Sequence, residues 1–340
     1  MKKLIGLVVA LSSFIVMVHA EDIVMSWSSN GVIMAEGMVP GSICKVKWAT
    51  TLDQTFTNVT ETIVFNDMVA DSNGVIRLGV PMFFRVSATP PPPEGMVSIP
   101  GGTNSGTDPD FGVYSLTVNS FYMDSTEVTK AQWDTVYTWA ISHGYSFDNA
   151  GSGKASNHPV HTVNWYDCVK WCNARSEMDG RAPCYTVSGS VYKTGQSSPD
   201  CNFDANGYRL PTNDEWEYAA RGGLSSKRFP WGDTIAHNRA NYYSSTSYSY
   251  DVSDTRGYHP DYDDGGYPYT SPVGSFAPNG YGLYDMAGNM WEWCNTTSGS
   301  YRGIRGGSWS YYAYDSRCGS GDWYNPSLSY FNFGFRSVCR

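Results

Sequence analysis

Only three segments of this chain combine the apolar periodicity of a helix with recognisable helix ends, and long stretches rich in Gly, Ser and Tyr separate them. The patterns predict helices over residues 129–144, 164–180 and 212–223. In the third segment, Thr212 and Glu215 have the spacing of a capping box, in which each side chain accepts a hydrogen bond from the other residue's backbone amide. Gly222 supplies the glycine expected where a helix ends. Beyond residue 223 we expect irregular loops and short strands.

The residues before the first helix have a different pattern. Short runs such as "CKVKWAT", "ETIVFN" and "MFFRVSA" alternate apolar and polar positions between residues 21 and 88. This alternation predicts a small all-β, sandwich-like domain. The four prolines of "ATPPPPEG" then favour an extended linker over residues 89–95. We therefore predict a domain boundary near residue 90.

The first twenty residues have the organisation of a secretory signal peptide. Lys2 and Lys3 precede an apolar run over residues 4–18, and a Val-His-Ala cleavage site closes the segment at Ala20. No later stretch approaches the roughly 20 apolar residues that a transmembrane helix needs. We expect a secreted or periplasmic protein without a transmembrane segment.

The net charge and the cysteine content indicate which partners and which cysteine chemistry to expect. The formal net charge is −9 at pH 7, and an acidic surface disfavours nucleic acid as a partner because phosphates require positive charge. The same acidity is compatible with bound calcium. All eight cysteines follow the signal peptide, and an oxidising compartment favours disulfides over thiol chemistry.

Eight motifs occur in order between residues 96 and 336. They are "MVSIPGG" (96–102), "DSTEVTKAQW" (124–133), "HPVHTVNWYDCVKWCN" (158–173), "GYRLPTNDEWEYAARGG" (207–223), "FPWGD" (229–233), "SPVGSFAPNGYGLYDMAGNMWEWC" (271–294), "RGGSW" (305–309) and "GFR" (334–336). Together they resemble the formylglycine-generating enzyme, or sulfatase-modifying factor, family. The resemblance implies an α+β, C-type-lectin-like fold with little regular secondary structure over residues 96–340.

Active members of this family bind copper through two cysteines shortly after the "GGS" step and oxidise a substrate cysteine to formylglycine. The resemblance aligns the first cysteine with Tyr311 and the second with a position between Ala313 and Ser316, and none of these positions is a cysteine. Cys318 stands alone, and a single thiolate cannot form the two-sulfur site that Cu(I) prefers. We expect no catalytic residues and no copper; the alternative is an oxidoreductase of this family that acts on exported sulfatases.

The resemblance also implies two calcium sites. Their ligands are Asp285, Gly288, Met290 and Glu292 in the first site, and Asn241, Tyr242, Asp264 and Tyr267 in the second. In the first site, Asp285 and Glu292 would supply carboxylates and the other two residues carbonyl oxygens, which suits Ca²⁺. In the second, an extra glycine after Asp264 departs from the family pattern. The alternatives are a glycine turn with surface acids and a solvated acidic loop.

Two cysteine pairs are candidates for disulfides. Cys184 and Cys201 flank an insertion and would close a surface hairpin, and Cys318 and Cys339 lie on C-terminal segments that could run side by side. Each closed loop would contribute roughly 3 kcal/mol. Sequence alone leaves the connectivity open, and the other four cysteines are expected to be buried thiols or unassigned partners.

Between "RGGSW" and "GFR" the chain is unusually aromatic. Trp309 and Phe335 belong to the motifs and are expected in the core. The predicted ligand-binding residues between them are Tyr311, Tyr312, Tyr314, Asp315, Trp323, Tyr324 and Tyr330. Tyr and Trp among small polar residues are typical of adaptable binding surfaces, and the segment resembles the variable proteins of diversity-generating retroelements. The favoured hypothesis is recognition of a protein or a glycan, against an unrecognised enzymatic role or a structural one.

Overall fold

We describe the protein from a computed structural model. It describes residues 92–340 without interruption and, before them, residues 24–27, 32–36, 43–49, 63–64, 68–69, 72, 75–79 and 83–89. The predicted signal peptide, residues 1–20, lies outside the described residues. The chain divides into two compact units, Met1–Pro92 and Pro93–Arg340, which we describe separately.

The first unit is built from antiparallel strands. They are β1 (Val24–Trp27), β2 (Val32–Glu36), β3 (Ile43–Ala49), β4 (Ile63–Val64), β5 (Met68–Val69), β6 (Ile76–Gly79) and β7 (Phe83–Thr89). One sheet has the order β1-β2-β6. In the other, β3 pairs with β4, β5 and β7. Among the described residues of this unit every regular element is a strand, as predicted for an all-β module.

The second unit contains the three predicted helices. They are α1 (Lys130–Ser142), α2 (Trp165–Met178) and α3 (Asn213–Arg221). Each begins with a complete capping box, formed by Thr129, Asn164 and Thr212 with the third residue of the helix that follows. Gly222 ends α3 in the left-handed conformation, with φ of 55°, which glycine adopts without steric cost. The sequence predictions for all three helices are confirmed.

Twelve short strands complete this unit. They are β8 (Met96–Ile99), β9 (Gly102–Asp108), β10 (Gly112–Val118), β11 (Phe121–Asp124), β12 (Tyr185–Val187), β13 (Ser190–Val191), β14 (Asp200–Cys201), β15 (Trp291–Ser298), β16 (Tyr301–Arg305), β17 (Gly321–Tyr324), β18 (Phe333–Gly334) and β19 (Val338–Cys339). The largest sheet has the order β17-β16-β15-β18, and β15 and β18 are parallel. Within residues 92–340, no helix or strand forms between Arg221 and Trp291, and only the short strands β15 to β19 follow. The prediction of irregular loops and short strands beyond residue 223 is thus confirmed.

Aromatic side chains fill the core next to α1 and α2. Trp133 of α1 stacks on Trp171 of α2 with ring centroids 6.1 Å apart, and Phe335 meets Trp171 edge to face at 5.2 Å. All three side chains are buried, so the prediction that Phe335 lies in the core is confirmed. Because β18 and β19 follow the aromatic segment, this core anchors its C-terminal end. No helix among the described residues is long and apolar enough to span a membrane.

Candidate binding surface

Two irregular segments meet at the surface that precedes Phe335. The backbone amide of Tyr243 donates to the carbonyl oxygen of Tyr311 at 2.9 Å, and Tyr243 forms a parallel bridge with Tyr312. The Asn289 amide donates to the Asn241 carbonyl at 2.7 Å. A side chain at Gly288 would collide with that same carbonyl, so the "MAGNM" turn needs glycine there. The Tyr243 bonds hold the segment that begins at residue 241 against residues 311–312, and the Asn289 bond fixes the start of that segment to the turn.

Four of the seven predicted ligand-binding residues present large exposed rings. Tyr312 and Tyr314 are each 45% exposed, Trp323 is 40% exposed and Tyr330 is 38% exposed. Phe331, which the sequence analysis did not assign, is exposed to a similar extent. We call these four rings and Phe331, with the Tyr243, Tyr248, Tyr258, Tyr267 and Tyr269 rings that pack beside them, the aromatic surface.

Neighbouring side chains hold the Tyr312 and Tyr314 rings in place. Tyr312 meets Tyr243 edge to face at 5.4 Å and lies 6.0 Å from Tyr248. Tyr314 lies 6.0 Å from Tyr248, and the Arg317 guanidinium stacks 3.8 Å from the Tyr314 ring centroid. Arg317 is itself fixed by Asp110, at 2.9 Å. The rings are therefore ordered before any ligand arrives, which lowers the entropic cost of binding.

Trp309 forms the floor of a second group of rings. It is 1% exposed, which confirms the prediction that it lies in the core. Around it, Tyr267 and Tyr269 pack edge to face at 5.1 and 5.4 Å, and Phe331 and Tyr258 each lie at 5.7 Å. Tyr267, a predicted calcium ligand, is thus an exposed ring of this group.

Tyr311 and Tyr324 face inward. Tyr311 meets Trp291 edge to face at 5.5 Å, and Tyr324 meets Phe333 at 4.9 Å. Burial raises the pKa of Tyr311 above its ordinary value, with a further contribution from a hydrogen bond to Tyr324. These two predicted ligand-binding residues form the support of the aromatic surface rather than its outer face.

Acidic side chains lie beside the rings. Asp315 is half-buried, and burial raises the pKa of its carboxyl group to about 6, with the negative charge of Asp322 adding to the rise and Arg317 opposing it. Asp322 accepts a hydrogen bond from the Trp323 amide at 2.8 Å. The aromatic surface therefore combines apolar contact area with negative charge.

In the first predicted calcium site, an ion pair with Arg336 separates Glu292 from Asp285. Glu292 is fully buried and binds Arg336 through hydrogen bonds of 2.7 to 2.9 Å, and its other contact is the Trp216 indole at 2.7 Å. Asp285 points elsewhere: its Oδ2 accepts from the Gly274 amide at 2.6 Å. A calcium ion at Asp285 stays a prediction, but the carboxylate of Glu292 already has a full set of donors.

Asp285 instead faces Glu127. The two carboxyl groups interact directly, and Oδ1 of Asp285 and both Oε atoms of Glu127 are buried without a hydrogen-bond donor. Burial raises the pKa of both groups, and their mutual repulsion raises that of Glu127 further. Three buried carboxylate oxygens without donors favour a shared proton or a bound cation at this pair, and carboxylate oxygens are the ligands that Ca²⁺ prefers.

The second predicted calcium set is not assembled around one point. Asp264 is exposed and pairs with Lys154 at 2.8 Å, and the Tyr242 carbonyl accepts from His237 Nε2 at 3.1 Å. Asn241 Oδ1 is buried and has no partner. The extra glycine after Asp264 lets its carboxylate reach the surface, so calcium at this set remains a prediction that the side-chain contacts do not favour. Within the described part of the chain, no cluster of three or more His, Cys, Asp or Glu side chains is arranged to hold a metal ion.

Residues 84–340 match the family model described as "Sulfatase-modifying factor enzyme 1-like domain". The chain belongs to this family. It is 32% identical over 281 residues to the formylglycine-generating enzyme of Mus musculus, covering 71% of this chain and 74% of the relative. It is 42% identical over 239 residues to the Mus musculus inactive C-alpha-formylglycine-generating enzyme 2, covering 63% and 74%. The solved structure of Treponema denticola variable protein 1 superposes with a TM-score of 0.55 at 26% identity, covering 72% of this chain and 94% of that one.

The sulfatase-modifying-factor-like unit keeps its cysteines as free thiols within the described residues. Cys201 pairs with Tyr185 on adjacent strands, and the Asn202 amide donates to the Cys184 carbonyl at 2.8 Å, so the Cys184–Cys201 disulfide stays a prediction. Cys318 and Cys339 are not brought together. Val338 lies in the cluster that contains Cys318 and Cys339 lies in the other cluster, because successive residues of β19 face opposite sides.

The sequence analysis did not assign several rings of the aromatic surface to a binding role. They are Tyr243, Tyr248, Tyr258, Tyr269 and Phe331. A pattern was available for part of this set, because residues 242–250, "YYSSTSYSY", alternate Tyr with Ser as the predicted binding segment does. Only the tertiary contact between the two segments, through the bridge of Tyr243 with Tyr312, joins them into one surface.

Proposed function

We propose that this protein is an exported, non-catalytic member of the sulfatase-modifying-factor family that binds a protein partner through the aromatic surface. The observation that carries this proposal is the exposure of Tyr312, Tyr314, Trp323 and Tyr330, three of which pack on further rings. Tyr and Trp offer large contact areas with few rotatable bonds, and such anchors dominate many protein interfaces. Their supporting rings keep them ordered without a ligand.

A glycan is the second candidate, because exposed rings also stack on the apolar faces of sugars. The acids beside the rings favour a protein. Arg317 forms its ion pair with Asp110 at 2.9 Å. Within residues 92–340, neither Asp315 nor Asp322 forms an ion pair, so both can meet Lys or Arg side chains of a partner. A neutral glycan offers no such charge, so electrostatic complementarity supports a protein with a basic patch.

Loss of formylglycine formation follows, in this proposal, from the residues around Tyr311. Tyr311 packs on Trp291, and Ala313 and Ser316 are buried; none of these side chains can supply a thiolate. Cys318 is the next thiol along the chain. Burial raises its pKa to about 12, so almost no thiolate exists at neutral pH to bind copper or attack a substrate.

The family comparisons agree with a non-catalytic binding role. One relative bears the name of an inactive formylglycine-generating enzyme, and one structural neighbour bears the name of a variable protein. Export is supported by the pattern of residues 1–20.

We also propose a structural calcium ion in this protein, at Asp285. Asp285 Oδ1 and Glu127 would supply carboxylate oxygens, and Gly288 and Met290 would supply carbonyl oxygens. The support is the set of buried carboxylate oxygens that lack donors. A bound ion would neutralise the pair and so stabilise the turn that carries Gly288.

Two experiments test the function. In the first, the purified protein is incubated with copper and a sulfatase peptide that contains Cys-x-Pro-x-Arg, and the aldehyde is sought by mass spectrometry. We expect no aldehyde; formation of aldehyde would establish the oxidoreductase alternative.

In the second experiment, the wild-type protein and the triple variant Y312A/Y314A/W323A are screened by surface plasmon resonance against individually purified exported proteins of the producing organism. We expect a partner that binds the wild type and not the triple variant. Phe203 is similarly exposed, at 39%, and packs beside Arg209 outside the aromatic surface, so F203A is the matched control. Identical binding profiles for the wild type and the triple variant would refute the proposal.

A further inference from the structure

A cavity of about 580 Å³ lies outside the aromatic surface. Residues 231–232, 234–239 and 252–255 line it. Ile235 joins the two stretches: its amide donates to the Tyr250 carbonyl and its carbonyl accepts from the Val252 amide, both at 2.9 Å. The volume is within the range of small-molecule sites, roughly 300–1,000 Å³, so the cavity has room for one or two rings of a ligand.

One wall of the cavity is a tryptophan that is fixed from behind. The Trp231 indole nitrogen donates to the Thr234 carbonyl at 2.8 Å. Its ring stacks on buried Phe229 at 6.0 Å, with 12° between the planes. The Arg239 guanidinium lies 6.0 Å from the Trp231 ring centroid. Trp231 therefore forms a rigid flat wall, and Arg239, an exposed and flexible side chain, can move as a ligand enters.

A buried histidine sets the polar character of the floor. Burial lowers the pKa of His237, so the ring is neutral at pH 7. Its Nε2 lies 3.1 Å from the Tyr242 carbonyl and must carry the hydrogen. Nδ1 then accepts the hydroxyl hydrogen of Thr255 at 2.7 Å. The Thr255 oxygen is left as an acceptor towards the cavity.

Three polar side chains at the cavity have unused hydrogen-bonding groups. Within the continuous range 92–340, the side chains of Asn238, Arg239 and Asp254 form no hydrogen bond or ion pair, although all three line the cavity. Arg239 can only donate, Asp254 can only accept, and Asn238 does both. Together with Thr255, they present donors and acceptors beside one aromatic wall.

The combination of donors, acceptors and an aromatic wall indicates which class of ligand the cavity can bind. A phosphate or a carboxylate needs donors and would be repelled by Asp254, and an ammonium group needs acceptors and would be repelled by Arg239. An apolar ligand would leave all four polar groups unpaired. Sugar hydroxyls both donate and accept, and the C–H face of a pyranose packs on an aromatic ring.

We propose that this cavity is a binding site for an uncharged oligosaccharide, with Trp231 as the stacking wall and Asn238, Arg239 and Asp254 as hydroxyl partners. The site shares no residue with the aromatic surface, so it would serve as a second attachment point. A protein that binds a partner through one surface and a saccharide through another could hold that partner at a polysaccharide.

The test uses the full chain and four defined probes: cellohexaose, chitohexaose, mannohexaose and xylohexaose. Saturation-transfer difference NMR shows which sugar protons contact the protein, and isothermal titration calorimetry measures affinity. We expect at least one hexaose to bind saturably. N238A and D254A, both at exposed positions that do not disturb the fold, should each weaken binding about three- to tenfold. W231A should weaken it by at least about tenfold, and circular dichroism checks its fold.

The matched control is F203A, which truncates an exposed ring outside both the cavity and the aromatic surface and should leave hexaose affinity unchanged. Two results would overturn the proposal: no hexaose binds the wild type, or binding survives N238A and D254A unchanged. Loss of hexaose binding in Y312A alone would assign the sugar to the aromatic surface instead. Because partner binding and hexaose binding are measured separately, failure of one proposal leaves the other testable.

Discussion

Replacing Glu292 with glutamine should sharply destabilise the sulfatase-modifying-factor-like unit. Glu292 and Arg336 are almost completely buried, at 1% and 0% side-chain exposure, and their closest hydrogen bond is 2.7 Å. In E292Q, one carboxylate oxygen becomes an NH₂ group that faces either the guanidinium or the Trp216 indole, which now donates to Glu292 at 2.7 Å. Arg336 keeps one amide oxygen and its backbone acceptors, among them the Tyr284 carbonyl at 2.9 Å, but it loses the negative charge of its partner.

The size of the effect follows from the burial of the pair. Removing one partner of a buried ion pair costs about 3–5 kcal/mol, because the other charge is left uncompensated away from water. Since neither side chain reaches solvent, screening does not reduce this figure. For a unit of this length each kcal/mol shifts Tm by about 2–4 °C, so we expect E292Q to lower Tm by about 6–20 °C.

The assay is reversible urea unfolding followed by circular dichroism, in EDTA and again in calcium. The control is D204N, which breaks the Arg340–Asp204 pair, where Asp204 is 91% exposed; it should change stability by less than about 1 kcal/mol. If E292Q also stays within about 1 kcal/mol of the wild type in EDTA, the ion-pair reasoning is wrong. If it loses stability only in calcium, Glu292 is a metal ligand, as the sequence predicted.

Three further predictions concern separate parts of the unit. T212A should cost about 1 kcal/mol in urea unfolding because α3 loses its capping hydroxyl, and T212S should restore most of it. Because burial raises the pKa of Asp315 to about 6, the contribution of this residue to stability is complete below about pH 4 and declines as the pH rises through about 6. The Tm gain of D315N over the wild type should therefore grow between about pH 4 and pH 8. A Tm gain that does not depend on pH contradicts the raised pKa. Calcium should raise the wild-type Tm and have no effect on the double variant E127Q/D285N, and an equal rise in both proteins excludes this site.

Local chemistry explains how much could be predicted from sequence. The three helices carry their own end signals, such as Thr212 with Glu215, and these depend on residues three apart. That Tyr311 and the positions from Ala313 to Ser316 are not cysteines is also read directly from the chain. The exposure of Tyr312 was expected from composition, whereas the inward direction of Tyr311 depends on Trp291, which lies twenty positions away along the chain.

What the sequence determined by itself is therefore the set of elements whose partners are close along the chain: capped helices, alternating strands, the proline linker and the chemical inventory of the aromatic segment. The tertiary structure alone decided which distant groups meet. It paired Glu292 with Arg336, turned Asp285 towards Glu127, and laid the Tyr243 segment against Tyr312. The region between Arg221 and Trp291 has no regular elements, so no periodic sequence pattern predicts its contacts. Each contact depends on the packing of the complete unit.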